Sequence, residues 1–200
     1  MQMTTTRSAL GAVALACAMG TASAQIVPAE NYDVGPATVS CPITENSIGP
    51  LRIGMTLGEA RKAWPAAKFE RRVGLDDLVE LAVVVDGQTL VISGLGYDIP
   101  PGALPEKTVL QDLATYHPWC KDSRGIGPGT LLSDAASAYG GLVEIGKSDI
   151  EEREYARFKS ASEWMHFRVD YTSIFYPESP RRTTAFKPEA RLMGVEIGYY

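Results

Sequence analysis

The sequence is poor in cysteine and histidine, with three cysteines and two histidines in 200 residues. Neither His117 nor His166 has a second metal-ligating side chain at the short spacing that metal sites require. The sequence also has no Cys-x-x-Cys pair, no Gly-x-Ser-x-Gly motif and no glycine-rich phosphate loop with a lysine. These are common signatures of redox, hydrolytic and nucleotide-binding sites. We therefore predict no catalytic residue, no metal and no cofactor.

Blocks of basic residues are absent as well, and the formal net charge is -5 at pH 7. An acidic chain without a basic stripe is a poor partner for nucleic acid or for an anionic lipid surface. Beyond residue 25 no apolar run approaches the roughly 20 residues that a membrane-spanning helix needs. The sequence predicts neither a nucleic-acid partner nor a membrane span.

The first 24 residues have the pattern of an export signal. Arg7 supplies a positive start, "SALGAVALACAMG" is a short uncharged apolar run, and "ASA" at 22–24 has the small residues of a cleavage site. Cleavage is expected between Ala24 and Gln25, which predicts a soluble periplasmic or secreted protein. The alternative is a lipid anchor on Cys17, but Ala14 stands where lipoprotein signals usually have leucine.

Cleavage would leave two cysteines, Cys41 and Cys120. An even number of cysteines in an exported protein is typical of a disulfide. A bridge between these two would close a loop of about 80 residues. The alternative is two separate buried thiols.

Two similar phrases lie 75 positions apart: "GMTLGEARKAWP" from Gly54 and "GTLLSDAASAYG" from Gly129. Both have the apolar spacing of a short amphipathic helix. In the first phrase Thr56 and Glu59 form a capping-box pair. In the second phrase Leu131 takes the place of Thr56, so the expected cap moves to Thr130.

A hairpin pattern follows each predicted helix at the same offset. The first is "VELAVVVDGQTLVISG" at 79–94, in which Asp-Gly between two apolar runs predicts a tight turn. The second is "EYARFKSASEWMHFRV" at 154–169, in which apolar residues alternate with Arg157, Lys159, His166 and Arg168. That alternation predicts one face toward a core and one toward solvent.

A helix and a hairpin that recur at one offset indicate an internal duplication. We therefore predict an α+β fold of two tandem repeats, each a short helix followed by about four antiparallel strands, with the helices packed on one face of a curved sheet. The predicted organisation is a signal peptide (1–24), an extended arm (25–47), a first repeat (48–118) and a second repeat (119–200).

The stretch "IGPLRIGMTLGEARKAWP" resembles the Gly-Met-Thr helix start of small exported proteins, namely the SmpA-type outer-membrane assembly lipoproteins and the tandem-repeat β-lactamase-inhibitor proteins. The chain also resembles uncharacterised exported proteins of Gram-negative bacteria, through "SDIEEREYARF" and through "RRTTAFKPEARL" before the last strand. The resemblance implies a non-catalytic protein that binds another protein. It assigns no binding residue.

The stretch 171–188, "YTSIFYPESPRRTTAFKP", combines aromatic residues, prolines and two adjacent arginines. Tyrosine, phenylalanine and arginine often anchor protein interfaces, so Phe175, Tyr176, Arg181 and Arg182 are a candidate partner-binding loop. The alternative is a connection whose aromatic residues cover the core. The sequence thus predicts a periplasmic protein that binds another envelope or extracellular protein, as an inhibitor or assembly factor would. A carrier of a small apolar ligand and an enzyme of unrecognised type are the alternatives.

Overall fold

The computed structural model describes residues 39–74, 77–96, 99–148, 153–169 and 181–198. These residues form two α-helices, α1 (Leu57–Ala63) and α2 (Leu132–Ala138). They also form thirteen strands: β1 (Pro42–Ile43), β2 (Ser47–Ile48), β3 (Leu51–Arg52), β4 (Lys68–Val73), β5 (Val79–Val85), β6 (Gln88–Gly96), β7 (Leu113–Thr115), β8 (Lys121–Asp122), β9 (Leu142–Lys147), β10 (Glu154–Phe158), β11 (Met165–Val169), β12 (Arg182–Thr183) and β13 (Leu192–Ile197).

Nine of these strands form one large sheet in the order β12-β9-β10-β11-β13-β7-β6-β5-β4. Every neighbouring pair in this sheet is antiparallel. The short strands form a second sheet in the order β3-β2-β1-β8, in which β1 and β8 run parallel. The predicted disulfide between Cys41 and Cys120 is present and lies directly before these two strands.

The predicted α+β fold of two tandem helix-plus-sheet repeats is wrong. Strand is the predominant regular structure of the described residues, and the two helices have only seven residues each. One nine-stranded antiparallel sheet and a small mixed sheet replace the two predicted repeats, and β13 pairs with β7 in the large sheet from Val195↔Thr115 to Ile197↔Leu113. A helix of seven residues gives a clear amphipathic pattern in the sequence, but the fold class is set by the strands and their pairing across the sheet.

The local elements follow their sequence signals more closely. Thr56 caps α1: its hydroxyl accepts a hydrogen bond from the Glu59 amide at 3.3 Å, and the Glu59 carboxylate accepts one from the Thr56 amide at 2.8 Å. This confirms the capping box. The expected cap at Thr130 is wrong, because Leu131 is the N-cap of α2 and has no side-chain capping bond. The Thr130 hydroxyl instead accepts a hydrogen bond from the Gly127 amide at 3.2 Å.

Both hairpins are present as β5–β6 and β10–β11. Asp86 and Gly87 make the first turn with φ angles of 50° and 78°. Beside the second hairpin, Tyr139 at the end of α2 stacks on Phe158 at 5.4 Å between ring centroids and meets Phe167 edge-on at 5.2 Å. These three aromatic rings form the part of the core that lies beneath β10 and β11.

Neither helix of the described residues has the length and apolar character to cross a membrane. The expected cleavage site at Ala24 and Gln25 lies outside the described residues, as do Cys17 and two members of the candidate loop, Phe175 and Tyr176.

Candidate functional site

The outer face of strands β9 to β12 bears a group of charged side chains. Ala156, Phe158 and Phe167 are buried in the core. Because successive side chains of a strand point to opposite faces, Tyr155 and Arg157 project from the other side of the sheet. The polar residues of this hairpin, which the sequence pattern predicted to face solvent, therefore lie on one surface of the sheet.

This surface contains an open groove of about 590 Å³. We call it the β9–β12 groove, and it is lined by Val143, Glu144, Gly146, Lys147, Ser148, Tyr155, Ala156, Arg157, Phe158, Lys159, Ala161, Ser162, Glu163, Met165, His166, Arg181 and Arg182. Five of these residues are lysine or arginine, and two are glutamate. The groove is therefore a cationic patch on a chain whose net charge is negative.

Glu144 lies between two arginines that approach from opposite sides. β10 pairs with one edge of β9 in the register Arg157↔Glu144, and β12 pairs with the other edge. Arg157 Nη2 lies 3.2 Å from Glu144 Oε1, and Arg182 Nη1 lies 3.4 Å from Glu144 Oε2. The side chains of Arg157 and Arg182 are 64% and 75% exposed, while that of Glu144 is 25% exposed. Two solvent-facing guanidinium groups thus share one carboxylate.

The floor of the groove is open at Gly146. Its backbone pairs with Tyr155 on one side and with Arg182 on the other. A Cβ atom built at this position would meet no atom within 4 Å. A side chain at this position would fill space that a ligand can otherwise occupy.

A hydrogen-bonded cluster of buried groups fixes Tyr155 beside this opening. Glu196 of β13 is only 3% exposed, and its two carboxylate oxygens accept hydrogen bonds from the Tyr155 hydroxyl at 3.1 Å and the Tyr116 hydroxyl at 2.7 Å. The Arg168 guanidinium lies 5.7 Å from the centre of the Tyr116 ring. A buried carboxylate needs such partners, since an unpaired charge is costly to bury.

The tyrosines of this cluster act as hydrogen-bond donors at neutral pH. Burial and the neighbouring Glu196 charge raise the pKa of Tyr155 to about 12. The same two causes, in the same order, raise the pKa of Tyr116 well above its ordinary value. Both phenols therefore keep their protons and donate hydrogen bonds to Glu196, so the cluster positions Tyr155 rather than acting as a base.

The other histidine, His117, belongs to a local turn. Its Nδ1 accepts a hydrogen bond from the Trp119 amide at 3.3 Å, and the two rings meet edge-on at 4.6 Å. Burial lowers the pKa of this imidazole. No group of three or more His, Cys, Asp or Glu side chains within the described ranges is arranged to hold a metal ion.

A second open groove of about 650 Å³ lies beside Trp64. Its lining is mainly apolar and comprises Val39, Ser40, Pro42, Gly49, Pro50, Trp64, Ala66, Val85 and Asp86. The Trp64 ring lies directly over Gly49, where a Cβ atom would come within 2.9 Å of the ring. Gly49 also has a φ of 58°, so glycine is suited to this position both by its backbone and by its lack of a side chain.

Part of the loop that the sequence predicted as a partner-binding site lies at the β9–β12 groove. Arg181 and Arg182 both line it, whereas Phe175 and Tyr176 lie outside the described residues. Sequence reasoning missed Glu144 and Tyr155 as members of the site. The alternation of charged residues in the second hairpin was the available signal, but the pairing of β9 with β10 and β12 was needed to interpret it.

Comparisons with known proteins inform the fold. No protein-family model matches this chain, and no curated protein matches it. Among solved structures, the chain is similar to the uncharacterized protein yfeY from Escherichia coli, with a TM-score of 0.50 and 12% sequence identity. The match covers 79% of this chain and 99% of the other. At this identity the likeness applies to the fold alone: the chain is similar in fold to yfeY.

Proposed function

We propose that this chain is a non-catalytic, exported binding protein that holds another protein of the cell envelope in the β9–β12 groove. The observation behind the proposal is that five lysine or arginine residues, against two glutamates, line one groove of an acidic chain. A cleft in which one sign of charge predominates attracts partners of the opposite sign. The resemblance to exported inhibitor and assembly proteins points to the same kind of role.

The chemistry of the groove supports binding. Arg157 and Arg182 are exposed donors, and arginine is a common anchor residue of protein interfaces. Tyr155 retains its proton and is held in place by Glu196. Exposed arginine donors around an open floor suit recognition of a partner's acceptor groups.

Export is supported by the Cys41–Cys120 disulfide, since disulfides persist mainly in oxidising compartments. The apolar run and the Ala24–Gln25 cleavage site predicted from the sequence agree with that location. The partner is therefore proposed to be another protein of the periplasm or the cell surface.

A photocrosslinking experiment tests the proposal in intact cells. Benzoylphenylalanine replaces Glu163, an exposed residue on the groove wall. We expect capture of a specific envelope protein, and we expect Gly146→Trp to abolish the capture because the indole fills the open floor. Val73→Trp is the matched control, since Val73 is 58% exposed on β4 at the opposite edge of the sheet. Equal capture by the Gly146→Trp and Val73→Trp chains would refute the proposal.

A further inference from the structure

We infer that the β9–β12 groove recognises an extended acidic segment of its partner, whose carboxylates replace Glu144 between Arg157 and Arg182. This inference rests on the proposed binding function and names the chemistry that the groove selects. Glu144 is then an internal occupant of the site in the free protein. Its carboxylate marks the position that a ligand carboxylate takes.

The contacts of Glu144 with the two arginines are weak enough for a ligand carboxylate to replace them. Its distances to Arg157 and Arg182, 3.2 and 3.4 Å, are longer than those of strong charge-assisted hydrogen bonds, which are about 2.7–2.9 Å. Exposed ion pairs of this kind contribute little to stability. Each guanidinium has five N–H donors in a planar fork, so it can bind a ligand carboxylate in bidentate geometry in place of Glu144. Replacing Glu144 by a ligand carboxylate therefore sacrifices little and gains better-aligned bonds.

The size of the groove fits a short stretch of extended chain. Its lining residues come from four adjacent strands, β12, β9, β10 and β11, and from residues that directly flank or connect them. Three strand spacings of about 4.8 Å give a width of about 14 Å, which accommodates about four residues of an extended peptide. Gly146 keeps the middle of this path free of side chains.

The distribution of charge favours an acidic peptide over a membrane or a nucleic acid. The groove has an excess of positive charge, with five lysine or arginine residues against two glutamates, while the chain as a whole has a net charge of -5. A bilayer or a duplex presents negative charge over an area larger than the groove, so the remaining acidic surface would be repelled. A narrow acidic strand places its charge only where the cations lie.

Fluorescence anisotropy of the processed protein with a labelled N-acetyl tetraglutamate amide tests the inference. Tetraglutamine is the uncharged control peptide. We expect Glu144→Gln to bind the acidic peptide about three- to tenfold more tightly, because the internal competitor is removed. The matched control is Glu163→Gln, which removes a carboxylate that lines the same groove. We expect the change in peptide affinity caused by Glu163→Gln to be less than half the change caused by Glu144→Gln. Arg157→Gln and Arg182→Gln should each weaken binding at least about threefold.

Three results would overturn the inference. The first is unchanged or weaker binding by Glu144→Gln, with circular dichroism confirming that the variant is folded. The second is equal affinity for tetraglutamine. The third is binding of the protein to phosphatidylglycerol vesicles that depends on Arg157, together with no binding to tetraglutamate. Partner capture through residue 163 with no preference for tetraglutamate would refute this inference and leave the proposed binding function standing.

Discussion

Removal of the Cys41–Cys120 disulfide is expected to lower the free energy of unfolding by about 4.5 kcal/mol. The bridge joins residues 79 positions apart and has a Cα–Cα distance of 4.5 Å. Both half-cystines are buried, at 4% and 0% exposure. The bridge lies beside the parallel pair β1–β8, where the Lys121 amide donates a hydrogen bond to the Cys41 carbonyl oxygen at 3.1 Å. The cross-link therefore holds β1 to β8, which are the first and last strands of the small sheet along the chain.

The magnitude follows from the length of the loop that the disulfide closes. In the chain-entropy model, closing a loop of about 80 residues lowers the entropy of the unfolded chain by about 15 cal/mol/K, which is about 4.5 kcal/mol at 25 °C. With a urea m-value of about 2 kcal/mol/M, this loss would move the unfolding midpoint down by about 2 M.

Urea unfolding of the processed chain, followed by tryptophan fluorescence, measures this shift. The comparison is between the oxidised protein and the Cys41→Ala, Cys120→Ala double variant. Dithiothreitol should shift the midpoint of the parent protein by a similar amount and leave that of the double variant unchanged. A difference below about 0.5 M between the two oxidised samples would refute the entropic reasoning.

Two further substitutions test local contacts. Thr56→Ala should cost about 1 kcal/mol through loss of the helix cap. Hydrogen bonds from the Thr56 backbone and, to a smaller extent, from its hydroxyl lower the pKa of Glu59. Alanine keeps the backbone bond and removes the hydroxyl bond, so the part of the parent-variant difference that comes from the hydroxyl bond to the carboxylate should be present at neutral pH and shrink as the pH falls through that lowered pKa. A difference in urea midpoint that is constant from pH 7 to pH 3 would contradict this linkage. Gly194→Ala should cost about 1–3 kcal/mol, because its Cβ would lie 2.5 Å from the Tyr116 ring. Gly146→Ala, which enters open space on β9, is the matched control, and equal melting temperatures of the two glycine variants would argue against crowding at Tyr116.

Local sequence signals predicted the elements whose determinants lie within a few residues. The capping box of α1 spans Thr56 to Glu59, and the β5–β6 turn needs only Asp86 and Gly87. The cysteine pair followed from an even count and from the expected export. Each of these predictions depends on chemistry that a short window of sequence contains.

The fold class and the groove depend on pairing between distant segments. Glu144 meets Arg157 because β9 pairs with β10, and it meets Arg182, which lies 38 positions later in the chain, because β12 pairs with the opposite edge of β9. The sequence pattern placed Arg157 on a polar face but did not place Glu144 beside it. Likewise, the pairing of β13 with β7 is set by long-range register, which the periodicity of either strand leaves open.

The position of the cations on strands, rather than on long loops, matters for the proposed role. Arg157 and Arg182 flank β9 on neighbouring strands, so the sheet fixes their separation before any ligand arrives. Holding two like charges at that separation is unfavourable in the free protein, and Glu144 offsets the repulsion. The same carboxylate that stabilises the free groove therefore opposes the binding of an acidic ligand. A ligand must supply more than one carboxylate, or better geometry, to replace it, which makes Glu144 a selectivity device as well as a counter-charge.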